Sequence, residues 1–371
     1  MSRMCLDIAA LNLIPGLGPR RVMSLLGEVR DTEEIFRMPD LRLLEITGER
    51  FDGIERIRSV RESAEYAAEM AYVEKAGIKL VCCKDQSYPE LLRNIYDPPP
   101  VLYYKGRLCP GDANAVAIVG ARKCSFYGLQ MAERLASGLA ERGVTVVSGM
   151  ARGIDSAAHR GALKAGGRTI AVMGSGFRHV YPSESGKLMR AICERGAVVT
   201  EYSSDTLPFR GNFPRRNRII SGMARGVVVV EAARKSGAMI TVDMALEQGR
   251  EVFAVPGRAD FFTSGGTNRL IQNGAKLVMD VDDILEELDV CVPAEPAEKC
   301  PEDSVRGAEK ACGMGEEDHR ILEILETEAP AHIDRLSERA GIDRKMLPEV
   351  LLRLEIRGLV KALAGKKYGL G

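Results

Sequence analysis

The sequence predicts a doubly wound α/β domain on a parallel sheet, with a helical module before it and a small helix–turn–helix–hairpin module after it. Three observations carry this. Short apolar runs recur between residues 113 and 290, and an unbroken run belongs to a strand buried on both faces, as in a parallel sheet covered by helices. Between the runs, apolar residues return at helical spacing, as Met131, Leu135 and Leu139 do. Residues 291–316 have Pro, Glu, Lys and Gly without periodicity, which marks a linker ahead of a separate unit.

Taken in order, residues 1–72 read as helical. Within them LIPGLGPRRVMSLLG (13–27) separates two apolar-periodic stretches by Gly16, Leu17 and Gly18. This turn resembles a helix-hairpin-helix, SAM-like module, whose turn N–H groups meet a phosphate as a helix N-terminus does; the other reading is a helical module that packs on its neighbour. Residues 73–112 read as a connector, because three consecutive prolines in YDPPPVLYYKG (96–106) exclude a helix there. The predicted strands are VAIVG (116–120), VTVVSG (144–149), TIAVMG (169–174), AVVTEY (197–202), VVVVEA (227–232), EVFAVPG (251–257) and AKLVMD (275–280). Residues 317–371 follow the order of a winged helix. Charge balances across that segment, but Arg344 to Gly371 is skewed towards Lys and Arg, which suits duplex DNA or a protein partner in an accessory role.

Composition narrows the function. The 371 residues hold 52 basic and 52 acidic side chains, so bulk charge does not drive the chain onto nucleic acid. No apolar run approaches a membrane span and the N-terminus has no secretory signal pattern, so the cytoplasm is the expected compartment. Nine cysteines without a C-x-x-C pair, beside four histidines, indicate neither a disulfide framework nor a zinc site.

Charge is nevertheless concentrated. In a parallel α/β sheet the strand-to-helix loops leave from one edge, where ligands bind. Those loops bring together Arg122, Lys123, Arg152, Arg178, Arg210, Arg215, Arg216, Arg218, Arg234, Lys235 and Arg258, against Asp155, Glu201, Asp205, Glu231 and Asp260. Glycines on the same edge, among them Gly120, Gly149, Gly153, Gly174 and Gly176, let a phosphate approach backbone N–H groups. Aromatic residues lie in or beside these loops as well: Phe126, Tyr127, Phe177, Tyr181, Tyr202, Phe209, Phe213, Phe261 and Phe262. Interleaved cations and aromatics are what a single-stranded nucleic acid requires, phosphates for the guanidinium groups and bases for stacking.

An enzyme fits less well. The first loop reads GARKCSFYG (120–128), not G-x-G-x-x-G, and the second strand ends without an acidic ribose ligand, so no dinucleotide cofactor is expected. There is no Walker A run. Asp155 and His159 are one helical turn apart and admit an acid–base couple, but Asp155 reads as a helix N-cap with His159 packing behind it. Ser148, Ser175 and Ser236 have no base beside them in sequence. No catalytic residue, cofactor or metal ligand is expected.

Seven motifs in order, VAIVGAR…YG, SGMARGIDSAAH, TIAVMGSGF…YP, FPRRNRIISG, VVVVEA…SGAMIT, GREVFAVPG and GGTNRLIQNGAKLV, closely resemble the DprA/Smf family of bacterial DNA-processing proteins over residues 75–290. The resemblance implies an extended Rossmann-like domain and a homodimer. It also implies sequence-independent, cooperative binding of single-stranded DNA, its protection during natural transformation, and loading of RecA onto it. By motif it assigns DNA contacts to Arg122, to Ser148, Gly149, Arg152 and Gly153, to Gly174, Gly176 and Tyr181, and to Phe213, Arg216, Asn217 and Arg218. Gly120, Lys123 and Arg215 join them from the charged edge. Several family members have a basic residue after the Tyr-Pro of the third loop, whereas here Ser183 follows Pro182; Arg178 or Lys187 is the expected stand-in. The alternative is a nucleotide-processing hydrolase similar to the lysine-decarboxylase-like phosphoribohydrolases. Its P-G-G-x-G-T-x-x-E signature is only partly matched by SGGTNRL (264–270), without the Glu.

Overall fold

The computed structural model describes residues 2–48, 51–288 and, towards the C-terminus, 320–322, 324, 325, 331–342, 346–356, 360–363 and 367–370. The expected linker at 291–316 lies outside the described residues. The chain divides into two units, Met1–Ala297 and Glu298–Gly371.

The first unit is built on a 9-stranded sheet. Its strands are β1 (Lys79–Cys82), β2 (Val101–Gly106), β3 (Ala115–Val119), β4 (Thr145–Ser148), β5 (Thr169–Val172), β6 (Ala197–Thr200), β7 (Gly226–Val229), β8 (Glu251–Ala254) and β9 (Lys276–Leu277). Their order is β1-β2-β6-β5-β4-β3-β7-β8-β9. All pairs from β6 to β9 are parallel, while β2 joins β6 and β1 joins β2 antiparallel. The seven predicted runs all fall on strands. Successive strands step one way from β3 to β6 and the other way from β7 to β9, so the loops after β3 and β7 part at the sheet's centre and open a crevice between them.

The unbroken apolar runs have the physical cause the sequence implied. Ala115, Ala117 and Val119 of β3 enter the core on one face, and Val116 and Ile118 enter that on the other. Helices Phe126–Glu141 and Ile154–Lys164 cover the second face with Met131, Leu135, Leu139 and Ala158. Helices Asn212–Gly222 and Gly237–Glu247 cover the first with Ile219, Ile220 and Val242. Each fully buried branched side chain contributes about 1.5–3 kcal/mol relative to exposure, so the sheet's centre is the most firmly held part of the unit.

Residues 73–112 do more than connect. The prolines exclude helix as read, but the segments on either side of them form β1 and β2, which extend the sheet. The fully buried Tyr103 belongs to the same core as Ile8 and Leu11 of helix Arg3–Asn12. The N-terminal helices therefore pack on the sheet as part of one core. Asn12 Nδ2 donates to the Glu201 carbonyl at 3.0 Å, and Glu69 accepts from the Ser204 N–H at 2.8 Å, which ties the helices to the end of β6 and its loop. Gly16 takes φ +79°, a left-handed turn conformation, and its carbonyl accepts from Arg21 Nη1 at 2.6 Å.

In the second unit, β10 (Ala331–His332), β11 (Val360–Leu363) and β12 (Lys367–Leu370) form a 3-stranded sheet in the order β10-β12-β11. Helices Ile333–Ala340 and Leu347–Ile356 pack on it through Leu336, Leu351 and Leu354. Gly341 at φ +65° ends the first helix, as the sequence IDRLSERAG suggests. Among the described residues, no helix is long and apolar enough to cross a membrane.

Candidate nucleic-acid interface

The crevice at the carboxyl ends of β3 and β7 is an open groove of about 950 Å³, and loops after six of the parallel strands reach it. Within it stands a ladder of three side chains from three loops. The Arg122 guanidinium, after β3, lies over the Phe213 ring at 5.2 Å, and that ring stands 5.4 Å from Tyr181, after β5, at an interplanar angle of 52°. Arg122 and Tyr181 are exposed and Phe213 is half-buried. Phe213 sits in the first turn of helix Asn212–Gly222, and it reaches the ladder because residue 174 is glycine: a Cβ there would lie 2.9 Å from the Phe213 ring. Gly120, Lys123 and Arg210 line the same groove. A cation stacked on an aromatic face gains about 0.5–2 kcal/mol and holds both groups ready for a phosphate and a base.

Beneath the ladder the groove has an ionic floor. Arg216 is 3% exposed; its Nη1 donates to the Gly149 carbonyl at 2.8 Å and to the Val172 carbonyl, and its Nε to Asn217 Oδ1 at 3.2 Å. Burial pushes the Arg216 pKa down to about 10, still charged at neutral pH. Its counter-charge is the buried Asp155, which accepts from the Ala151 N–H at 3.4 Å. A Cβ on Gly149 would lie 2.6 Å from Arg216 Nη2 and 2.7 Å from Asp155 Oδ2, so only glycine lets these two groups share the space. Asp155 is in the first turn of its helix, and Gly153, at φ +78°, is the N-cap expected of Asp155.

The other expected site residues divide by burial. Arg218 is internal, with Nη1 and Nη2 on the two Glu201 carboxylate oxygens at 3.0 and 2.7 Å and Nε 3.4 Å from Asp97. Asn217 is buried, with Nδ2 on the Gly237 carbonyl at 3.3 Å. Ser148 Oγ donates to the Ile118 carbonyl at 2.6 Å, inside the sheet. Hence Arg216, Asn217, Arg218 and Ser148 brace the loops through hydrogen bonds within the fold, while Arg216 and Asn217 also line the groove. Gly176 packs against the loop after β6, where a Cβ would lie 2.1 Å from the Ser203 carbonyl oxygen. Arg152 is exposed and pairs with Glu184 at 2.5 Å. Arg178 turns its guanidinium onto the Tyr72 ring at 3.9 Å, against the N-terminal helices, and neither it nor Lys187 lines the groove.

This division sharpens the charge of the edge. Of its acidic residues, Asp155, Glu201 and Glu231 are buried, leaving Asp205 and Asp260 exposed. Of its cations only Arg216 and Arg218 are buried. Among the described residues, no carboxylate pairs with Arg122, Lys123, Arg210, Arg215, Arg234 or Lys235.

Groups that suggested chemistry are used otherwise. The Glu231 carboxylate accepts from the Ser125 N–H at 3.0 Å and from Ser125 Oγ at 2.8 Å, at the N-terminus of helix Phe126–Glu141. That is where a dinucleotide fold places its pyrophosphate. Leu270, three residues after Thr267, is buried where the hydrolase signature requires its Glu. His159 is fully buried, with Nδ1 2.7 Å from Thr169 Oγ1, whose own hydrogen goes to the Val146 carbonyl. It is no partner for the groove. Burial lowers its pKa to about 3, so the unfolded chain takes up a proton that the folded one refuses. Its contribution to stability is therefore present above 6.5 and is lost as pH falls from 6.5 towards 3, by on the order of 5 kcal/mol. His159→Gln is expected to flatten that limb in urea titrations; an unchanged limb would assign it to other groups.

One ligand-type cluster was invisible in the spacing. Cys5, Cys82 and Asp85 offer donors within 4.8 Å of one another where the first helix meets β1. Cys5 Sγ donates to Asp85 Oδ2 at 2.8 Å and the Cys82 N–H to the same oxygen at 2.9 Å, so the group is internally satisfied.

Comparison with known proteins places the chain in a family. A family model described as DNA recombination-mediator protein A matches residues 79–289, and the DprA winged helix domain matches 308–366. Protein Smf of Escherichia coli is 37% identical over 331 residues, 88% of this chain and 86% of that one. DNA processing protein DprA of Bacillus subtilis is 42% identical over 220 residues, 59% of this chain and 74% of its own length. Among solved structures, DprA from Streptococcus pneumoniae superposes with a TM-score of 0.69 at 37% identity, over 77% of this chain and 99% of that one. DprA from Helicobacter pylori, described for its single-stranded DNA binding mode, superposes with a TM-score of 0.52 at 30% identity, over 57% of this chain and 95% of that one.

Proposed function

The chain belongs to the DNA recombination-mediator protein A family, and from that premise we propose that its groove binds single-stranded DNA, protects it and delivers it to a RecA recombinase. The observation that carries this is the Arg122–Phe213–Tyr181 ladder in an open cationic groove. Guanidinium groups meet phosphates and aromatic faces meet bases, neither reads a base edge, and binding is therefore independent of sequence. The single-stranded DNA binding described for the Helicobacter pylori relative supports it. Delivery to RecA is supported by the family's description as a recombination mediator, and natural transformation is the process in which such delivery acts on incoming DNA. The protein works in the cytoplasm as a homodimer. The short edge strand β9 supports the dimer, because Leu277 and Met279 stand exposed there beside unpaired backbone. The winged helix is an accessory, for duplex DNA or for protein.

The test is a salt titration of binding to a fluorescent oligothymidine and to the matching duplex, followed by RecA filament assembly on single strands with and without the protein. Salt-sensitive preference for the single strand, with faster assembly, is expected. Equal binding to both would move the site to the winged helix, and unaltered assembly would remove the delivery step.

A further inference from the structure

The one exposed arginine of the sequence NFPRRNR is Arg215, and it faces the N-terminal hairpin instead of the groove. A second groove of about 410 Å³ lies there, lined by Gly16, Gly18, Arg20, Arg21 and Arg215. The Arg215 guanidinium lies against Gly18, since a Cβ there would stand 3.9 Å from Nη2, at ordinary van der Waals contact. Arg20 is exposed and lies over the ring of Tyr96 at 4.6 Å, and that ring is 85% exposed. Asp97, the only carboxylate lining this groove, is 3.4 Å from Arg218 Nε. Arg21 is engaged with the Gly16 and Thr47 carbonyls, so it fixes the turn while adding its charge. The combination repeats that of the main groove: cations without carboxylate partners and an exposed aromatic face.

The two grooves share one helix. Phe213 and Arg215 occupy the first turn of Asn212–Gly222, the former in the main groove and the latter in this one. We propose that the Gly16–Gly18 turn with Arg20 and Arg215 is a second phosphate-binding station for the same single strand, with Tyr96 as its base platform. The proposal rests on the reading of the main groove. A strand leaving the Arg122–Phe213–Tyr181 ladder passes over the helix N-terminus to the hairpin, so the helical module lengthens the DNA track and is not only packing.

The experiment uses the full chain and fluorescein-labelled oligothymidines, one long enough for the main groove alone and one several nucleotides longer. An Arg20→Ala, Tyr96→Ala variant is compared with wild type, both substitutions being at exposed positions. The gain in affinity from the short to the long oligonucleotide is expected to fall several-fold, and the salt slope on the long one to drop by about 0.7, the contribution of one phosphate contact. Photocrosslinking with an oligonucleotide carrying 5-iododeoxyuridine is expected to label Tyr96. An unchanged gain and slope with no label on Tyr96, while Arg122→Ala, Phe213→Ala loses binding, would overturn the station and leave the main groove standing. Failure of the wild type to bind either oligonucleotide would overturn both.

Discussion

Arg216→Ala is expected to cost about 2–4 kcal/mol of folding stability, the usual consequence of removing a buried donor that serves two buried carbonyls. The truncation leaves the Gly149 and Val172 carbonyls without their donor and Asp155 buried without its cation. The pH dependence has a definite sign. Burial already holds the Asp155 pKa above the ordinary 3.8, and Arg216 is the first influence pulling it back down. Without Arg216 the folded pKa rises further. A carboxyl with a raised folded pKa contributes stability that is fully present below 3.8 and is lost as pH rises through the folded value. The deficit of the variant is therefore smallest in acid and widest at neutral pH, which urea denaturation at two pH values will show. Equal stability of variant and wild type at neutral pH would mean that Arg216 does not balance this charge. A loss of DNA binding in this variant says nothing about a contact unless the fold is shown to survive.

The informative substitution for binding is Arg122→Ala with Phe213→Ala. Arg122 is exposed and Phe213 half-buried, so the fold is expected to persist, checked by a thermal melt. Affinity for an oligothymidine should fall roughly ten- to a hundredfold, since one base stack is worth about 1–3 kcal/mol and one phosphate contact is lost as well. The salt slope should drop by about 0.7. Because the two side chains touch, the single variants should not add. Undiminished binding in the double variant would place the DNA elsewhere.

The parallel sheet was legible because its strands are buried on both faces, and the composition of VAIVG or VVVVEA follows from that alone. The strands β1 and β2 were not, since KLVC and VLYYKG flank a proline loop, pair with each other, and join β6 through VLYYKG only in the tertiary fold. In the groove, cations and aromatics in loops of one edge were legible. Their direction was not: FPRRNR holds one groove aromatic, one exposed arginine and two structural arginines within six positions. A helix turns 100° per residue, so neighbours in sequence point to different worlds. That Arg218 is held by Glu201, and Arg216 by the Gly149 and Val172 carbonyls, depends on contacts between residues far apart in the chain, which a single sequence does not display.

The Glu231 carboxylate on Ser125 has a consequence for competition in the cell. A seat filled by a side chain of the same molecule is filled at very high effective concentration, and free nucleotides cannot displace it by mass action. Under the proposed function, the protein stays indifferent to the surrounding nucleotide pool while the neighbouring surface remains open to a polymer with many weak contacts.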